Sequence, residues 1–484
     1  MQLKDLLKDI YDKPITDGFE NLSITDLCVD SREVTDGAMF VAVKGAVSDG
    51  AKFIESAIEK GATCIVCEND DTKNNSTDVC FIYVDDTFKF LRVLARRYFN
   101  NPSRHLNMFG ITGTNGKTTV SYLIESILHE AEKSCSVVGT VNYRIGERIL
   151  PAINTTPGLI PLQRLLSYIA EEGIENCVME VSSHALDQGR VDVVNFDVAV
   201  FTNLTSDHLD YHKTRDNYFA AKAKLFTGLK SDARAVINID DDYGPKLFSK
   251  SQAQIMTYGI YKKADVRAQD VYLDVEASQF KIVTSDGEVS IRSALVGEFN
   301  VYNILAATAA CLASGISLDK IKKGVERLIN VPGRLEKISF GQEFTIFIDY
   351  AHTQDALHNV LTAIKNTTEG RIICMFGCGG ERDVTKRSEM GAVASELADY
   401  TIITNDNPRS EDPKHIIEQI KEGFDHDRFE IIESREDAIG RALNIAKKGD
   451  VVLIAGKGHE DYQVFKDQTI KFNEKDIIRN SILS

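Results

Sequence analysis

The residues Gly110-Ile111-Thr112-Gly113-Thr114-Asn115-Gly116-Lys117-Thr118-Thr119 have the composition of a phosphate cradle. Glycines let backbone N–H groups crowd around an anion, and a helix N-terminus adds a dipole that favours negative charge. In such a loop Lys117 reaches the terminal phosphates and the Thr118 hydroxyl ligates Mg²⁺. The strict spacing G-x-x-x-x-G-K-[ST] requires glycine at 111, where this chain has Ile; its glycines fall at 110, 113 and 116. The alternative is a glycine-rich turn with an exposed lysine. Context weighs against it: the apolar run Leu106 to Ile111 leads in, and Val120, Leu123, Ile124, Ile127 and Leu128 follow at helical spacing.

Other polar groups follow apolar runs. Glu180 ends Cys177-Val178-Met179 and precedes Val181-Ser182-Ser183-His184. A carboxylate at a strand end near a phosphate loop suits Mg²⁺, a hard cation that takes oxygen ligands; a surface glutamate fits the spacing equally well. The segment Asn203 to His212 holds Asp207, His208, Asp210 and His212, which suits a metal or acid–base role, or a polar loop whose histidines cap and pack. Lys222 and Lys224 lie in Tyr218-Phe219-Ala220-Ala221-Lys222-Ala223-Lys224-Leu225-Phe226, and by pattern alone both are surface lysines of an amphipathic helix. Further on come Asp349-Tyr350-Ala351-His352, Gly377 to Asp383, Asp406-Asn407-Pro408-Arg409 and Gly456-Lys457-Gly458-His459-Glu460. Glycines beside Arg, Asn and Glu at successive strand ends suggest a pocket for a zwitterion, with Arg for a carboxylate and Glu or Asp for an ammonium.

The elements that must position these groups alternate between strand and helix. In the first stretch, Gly37 to Gly45 is a strand ending in a turn, Phe53 to Ala62 a helix and Ile82-Tyr83-Val84 a strand. Asn100-Asn101-Pro102-Ser103 breaks helices and marks a boundary. The middle stretch has strands at 136–141, 177–181, 198–202 and 235–239, helices near 162–172 and 218–229, a short β-rich stretch made of 255–258, 280–284 and 289–294, and a helix at 303–314. Val331-Pro332-Gly333 is a second linker, and five more strands with helices between them follow it. The alternation predicts an α/β protein with mainly parallel, doubly wound sheets in three domains: 1–102, 103–332 and 333–484. Ligands of open α/β sheets collect at the carboxyl ends of strands, where the polar groups above fall.

Composition limits the function. A net charge of −16 argues against broad nucleic-acid binding, although anionic small ligands need only local cations. No apolar run reaches the ~20 residues of a membrane span, and the start, MQLKDLLKDIYDK, lacks a signal-peptide core. Nine scattered cysteines fit a reducing cytoplasm; Cys64 and Cys67 form a CxxC without a second pair and read as buried strand residues.

As an ordered set the motifs resemble the Mur ligase family over nearly the full length. They are GTNGKTT at 113–119, NTTPG at 154–158, MEVSSHAL at 179–186, TSDHLDYH at 205–212, YFAAKAKLF at 218–226, VPGRLE at 331–336, DYAH at 349–352, DNPRSEDP at 406–413 and GKGHEDYQ at 456–463. The resemblance implies a small N-terminal α/β domain that binds a UDP-sugar peptide, a central P-loop-type ATPase domain and a C-terminal Rossmann-like domain that binds an amino acid. It implies a cytoplasmic, monomeric enzyme of peptidoglycan synthesis that phosphorylates a D-glutamyl carboxylate with ATP and Mg²⁺, then lets an amine attack the acyl phosphate.

Residue by residue, it places ATP on Gly113, Thr114, Asn115, Gly116, Lys117, Thr118, Thr119, Asn303, Arg334 and Asp349. Thr118, Glu180 and His208 would serve the metal, together with Lys222 as a carbamate (N6-carboxylysine), which overrides the surface-lysine reading. Lys117, Glu180, His208, Lys222 and His352 would be catalytic. Ser31, Thr155, Thr156, Ser182, Gln188 and Arg190 would contact the UDP-sugar peptide. The DNPR form resembles members that add meso-diaminopimelate, with Arg382, Asp406, Asn407, Arg409, Gly456 and Glu460 lining the pocket. Arg409 would pair the second carboxylate, which L-lysine lacks. Gln354 stands where the family usually has Pro. A relative with another acceptor, such as L-lysine or a folyl glutamate, and a non-catalytic nucleotide-binding scaffold are the competing readings.

Overall fold

The computed structural model describes residues 1–15, 18–45, 48–68 and 78–483. The chain packs as two compact units. The first gathers Met1–Met108, Ile153–Cys177 and His184–Phe196; the second gathers Phe109–Ala152, Val178–Ser183 and Asp197–Ser484.

The first unit is built on a four-stranded parallel sheet, in the order Leu27–Cys28, Met39–Val41, Cys64–Cys67, Cys80–Tyr83. These strands are short and apolar, as strands covered on both faces must be. Cys64 and Cys67 are buried in them. The last strand begins two residues before the expected Ile82, because Cys80 pairs with Cys64. Leu159, Ile160 and Val193, far along the chain, join Leu3, Leu6, Leu27, Met39 and Leu94 in one core.

The second unit holds two larger sheets. In the eleven-stranded sheet, Arg234–Asn238 pairs in parallel with Val198–Phe201, which pairs in parallel with Asn107–Thr112; Asn176–Glu180 lies on the other side of Asn107–Thr112. The helix Lys117–Glu130 buries Val120, Leu123, Ile124, Ile127 and Leu128 in the core it shares with the helix Glu298–Ala313 and with Ile321 and Val325 of Leu318–Arg327. Each such side chain contributes about 1.5–3 kcal/mol by leaving water. The helix expected to start at 303 starts at Glu298, so Asn303 sits mid-helix. The hairpin Asn142–Ile145 with Arg148–Pro151 and the strand Val266–Leu273 were not expected, because polar residues interrupt their apolar pattern.

The six-stranded sheet has Glu336–Ile338 antiparallel to Thr345–Asp349, followed in parallel by Val451–Ala455, Ile372–Phe376, Tyr400–Ile403 and Phe429–Ile431. Val296 and Phe299, from the start of the Glu298–Ala313 helix region, pack with Leu357, Val360 and Leu361 beside this sheet. Among the described residues no helix is long and apolar enough to cross a membrane.

Candidate active site

The strand Asn107–Thr112 delivers the chain into the glycine-rich loop, and Lys117 opens the helix that follows. Gly116 has φ of +90°, and a Cβ there would collide with Asn303 Oδ1. Glycine at 116 therefore serves both the left-handed turn and the close approach of the Glu298–Ala313 helix. Lys117 is half-buried, and its Nζ donates to the carbonyls of Gly113 at 2.9 Å and Thr114 at 2.8 Å. Burial lowers its pKa, against the raising effect of Glu180 and Asp207.

Lys222 is 1% exposed. Its Nζ donates to the same Gly113 carbonyl at 2.7 Å and lies 4.4 Å from the Tyr218 ring centroid. Burial, and then the Lys117 ammonium, push its pKa well down, with Asp207 opposing. The surface reading of this helix is thereby corrected for Lys222. The helix Arg215–Thr227 buries Tyr218, Phe219, Ala221, Lys222, Ala223, Leu225 and Phe226, so Lys222 falls on its covered face, while Asn217, Ala220, Lys224 and Thr227 form the exposed stripe. A buried amine held toward its neutral form is a nucleophile able to take up CO₂ as a carbamate.

Glu180, 1% exposed, ends its strand beside the loop. It accepts from Thr118 Oγ1 at 3.0 Å, the Thr140 amide at 2.9 Å and Thr140 Oγ1 at 3.0 Å. A Cβ on Gly139 would collide with Glu180 Oε1, so the turn leaves room for the carboxylate alone. A buried carboxylate touching a threonine hydroxyl is a donor set suited to a hard cation. No group of three or more His, Cys, Asp and Glu side chains disposed to hold a metal occurs among the described residues. A carbamate on Lys222 would add oxygen donors to those of Thr118 and Glu180.

The two histidines of the 203–212 segment differ. His212 is buried and its Nε2 lies 3.0 Å from Ser183 Oγ, the packing role left open by the sequence. His208 is exposed, with φ of +55°, and its Nε2 lies 3.4 Å from Asp207 Oδ2. Tyr218 stands beside His208, at a ring distance of 6.1 Å, as well as beside Lys222.

The linker brings a cation to the loop. Arg334 Nη2 donates to Thr118 Oγ1 at 3.2 Å, and its guanidinium carbon lies 4.9 Å from the Tyr350 ring centroid. Asp349 Oδ2 accepts from the Leu335 amide at 2.6 Å and Oδ1 from the Ala351 amide at 2.7 Å. Burial raises the Asp349 carboxyl to about 6, against Arg334 and those two amides. His352 Nδ1 lies 2.8 Å from the Tyr350 carbonyl.

In the six-stranded sheet the polar strand ends converge. Asn407 Nδ2 donates to Glu460 Oε2 at 2.8 Å, and Asn407 Oδ1 accepts from Lys457 Nζ at 3.0 Å. Arg409, with φ of +54°, donates from Nη1 to the Gly380 carbonyl at 2.6 Å. A Cβ on Gly456 would come 2.9 Å from Asp406 Oδ2, a buried oxygen without a hydrogen-bond partner. Arg382 is exposed and donates to the Glu381 carbonyl at 3.3 Å; a Cβ on Gly379 would lie 3.8 Å from its Cγ and 3.0 Å from Arg409 Nη1.

In the first unit, Arg190 donates to Gln188 Oε1 from Nε and Nη2 at 2.9 and 2.6 Å, and from Nη1 to the Thr156 carbonyl at 3.0 Å. Thr156 and Ser31 are buried, and Thr155 precedes Thr156 in the same turn. Ser182 belongs to the second unit.

Sequence reasoning missed several groups. Lys457 is fully buried although it lies between two glycines, and Thr140 had no signal beyond a polar residue after a strand. Arg387, also fully buried, binds both oxygens of Glu411, at 2.9 and 3.0 Å. It lies in a charged stretch, Arg382 to Glu389, that gives no sign of burial.

Three family models match in succession: "Mur ligase family, catalytic domain" over residues 23–99, "Mur ligase middle domain" over 111–311 and "Mur ligase, glutamate ligase domain" over 333–458. The chain is 43% identical to a UDP-N-acetylmuramoyl-L-alanyl-D-glutamate–2,6-diaminopimelate ligase of Clostridium tetani, across 100% of this chain and 99% of that one. It is 42% identical to the protein of the same name from Bacillus velezensis, across 100% and 99%. A solved structure bearing that enzyme name superposes with a TM-score of 0.71 at 33% identity, covering 97% of each chain. A Thermotoga maritima MurF ligase solved in complex with ADP shares the fold, with a TM-score of 0.63 at 21% identity over 95% of this chain and 96% of that one. Ordered motifs, three-domain α/β architecture and full-length similarity agree: the chain belongs to the Mur ligase family.

Proposed function

We propose that this chain is an ATP-dependent, ADP-forming ligase that joins meso-diaminopimelate to UDP-N-acetylmuramoyl-L-alanyl-D-glutamate in cytoplasmic peptidoglycan synthesis. The observation that carries the reading is Lys222, an amine buried against the phosphate-loop carbonyl of Gly113. A lysine kept for structure or solubility has no reason to be there, at such a cost in desolvation. The names of relatives at 41–44% identity supply the substrates.

In this reading residues 1–102 belong to the UDP-sugar peptide, 103–332 to ATP and 333–484 to the amino acid. Lys117 and the loop amides of Gly113 to Thr119 neutralise the phosphates, with Asn303, Arg334 and Asp349 on the nucleotide. Thr118, Glu180, His208 and carbamylated Lys222 would hold Mg²⁺, which when bound offsets phosphate charge. The D-glutamyl carboxylate attacks the γ-phosphorus and ADP leaves. The amine of the acceptor then attacks the acyl carbon and phosphate leaves, so each amide requires one ATP. A carboxylate is a poor acyl donor until it carries such a leaving group, and the protein contributes position and charge. His352 would assist beside Asp349. Ser31, Thr155, Thr156, Ser182, Gln188 and Arg190 hold the UDP-sugar peptide. Arg382, Asp406, Asn407, Arg409, Gly456 and Glu460 receive the acceptor, Arg409 taking its second carboxylate.

The test is phosphate release by the purified protein with ATP, Mg²⁺ and the UDP-sugar dipeptide, offered meso-diaminopimelate or L-lysine. Turnover with the first alone is expected. Turnover with lysine would refute the role of Arg409 and keep the ligase. Silence with both, in protein that binds ATP, would refute the ligase.

A further inference from the structure

We infer that Asp355 is a positioning residue that fastens the amino-acid module to the phosphate loop and so keeps amide formation coupled to ATP cleavage; this rests on the ligase function proposed above. Asp355 follows Gln354 at the start of the helix Gln354–Lys365, six residues after the strand that ends in Asp349. One oxygen, Oδ2, accepts from Asn115 Nδ2 at 3.0 Å and Thr205 Oγ1 at 2.9 Å, and from Asn359 Nδ2 of its own helix at 3.2 Å. Asn115 lies inside the glycine-rich loop, and Thr205 begins the segment that carries Asp207 and His208.

The helix does not use Asp355 as its cap. Thr353 fills that place, its hydroxyl accepting from the Ala356 amide. The carboxylate is directed at two loops of another sheet, and both are held against the reacting groups. The Thr205 amide donates to Thr114 Oγ1 at 3.0 Å, Thr114 Oγ1 lies 3.2 Å from the Tyr218 hydroxyl, and the Tyr218 ring faces Lys222. Asn115 is anchored in turn, its amide on Asn203 Oδ1 at 2.9 Å and its carbonyl accepting from Thr202 Oγ1 at 2.6 Å. A displacement of the loop therefore reaches the helix Gln354–Lys365 through two hydrogen bonds to one charge. Bonds of that kind are the strong class.

Without Asp355, ATP is still met by the loop and the acyl phosphate still forms, but the acceptor module is free to drift. Water then attacks the acyl carbon, returning the carboxylate and releasing phosphate, so that ATP is cleaved without an amide. For Asp355→Ala the expected loss in kcat for amide formation is about tenfold or more, with KM for ATP within about threefold of wild type. Phosphate released per amide formed should rise above one. Asp355→Asn keeps an acceptor oxygen and should recover most of the coupling. Thr205→Val should uncouple in the same direction, and adding it to Asp355→Ala should change little, since both remove one link.

The experiment measures phosphate, amide product and melting temperature for these proteins side by side. Equimolar products at wild-type rate in Asp355→Ala would overturn the inference. So would an equal fall of phosphate and amide in every variant with additive effects, the mark of a structural residue. If Asp355→Ala does not fold, Thr205→Val decides: equimolar products at wild-type rate, or an equal fall of phosphate and amide, would overturn the inference. Wild-type protein that releases no phosphate with any acceptor would instead sink the ligase reading, before a variant is compared.

Discussion

Lys222 shows what one residue can conceal. Its neighbours in sequence are alanine, leucine and phenylalanine, and a lysine among them reads as solvent-facing until the helix is found to turn that side inward and to expose Lys224 instead. Motif resemblance identified it where periodicity did not. Replacing it with Ala should lower turnover more than about a hundredfold, because the proposed carbamate ligand would be lost. Acetate should restore part of the rate, and full activity in the variant would refute the carbamate. Arg409→Ala should raise KM for meso-diaminopimelate about tenfold or more while leaving KM for ATP nearly unchanged, since a lost charged pair costs about 1.5–3 kcal/mol; equal losses would contradict the pocket. Asp349 has a pH signature. Its carboxyl is raised from 3.8 to about 6 in the folded protein, so the fold binds that proton more tightly than the unfolded chain does. The stability it contributes is complete below pH ~4 and is lost as pH rises through about 6, in all about 3 kcal/mol. Urea denaturation across that range should show the decline, and Asp349→Asn should flatten it. Asp349 was legible as a motif residue, but its burial was not, because that depends on the linker folding over it.

Among the elements, the apolar strands and the phosphate-loop helix were plain in the sequence, since burial on both faces imposes an apolar run and one covered face imposes helical spacing. The edge strand Arg148–Pro151 was not, because it is exposed throughout and nothing in its burial imposes an apolar run. The start of the helix Glu298–Ala313 was placed late because Glu298 and Asn300 interrupt its apolar face. The linker Val331 to Leu335 is the element on which Arg334 depends. Gly333 has φ of +63°, and a Cβ there would meet the backbone of Gly458 and His459. Gly333→Ala should therefore cost more than the ~1 kcal/mol of a left-handed Ala alone, on the order of 2–3 kcal/mol. Thermal unfolding reads this directly, and an unchanged melting temperature would show that the linker yields.

At the scale of the molecule, the α/β class and the three-domain plan followed from the alternation of strands and helices together with the motif order. The grouping of segments into compact units did not, because it depends on contacts between distant residues such as Leu159 with the core of Leu3 and Leu94. A fragment of residues 1–102 lacks Leu159, Ile160 and Val193 and should show little near-ultraviolet circular dichroism and a broad thermal transition; a sharp, cooperative one would show that the four-stranded sheet suffices. The same discontinuity bears on synthesis. A ribosome adds about 5–20 residues per second, so the first sheet waits roughly 5–20 s after Tyr98 before Val193 is made, and the phosphate-loop strand emerges during the wait. The core that holds Phe109 waits in turn for Val331, so each of these two cores closes only when a distant segment of the chain has been made, and the phosphate-loop strand waits the longer.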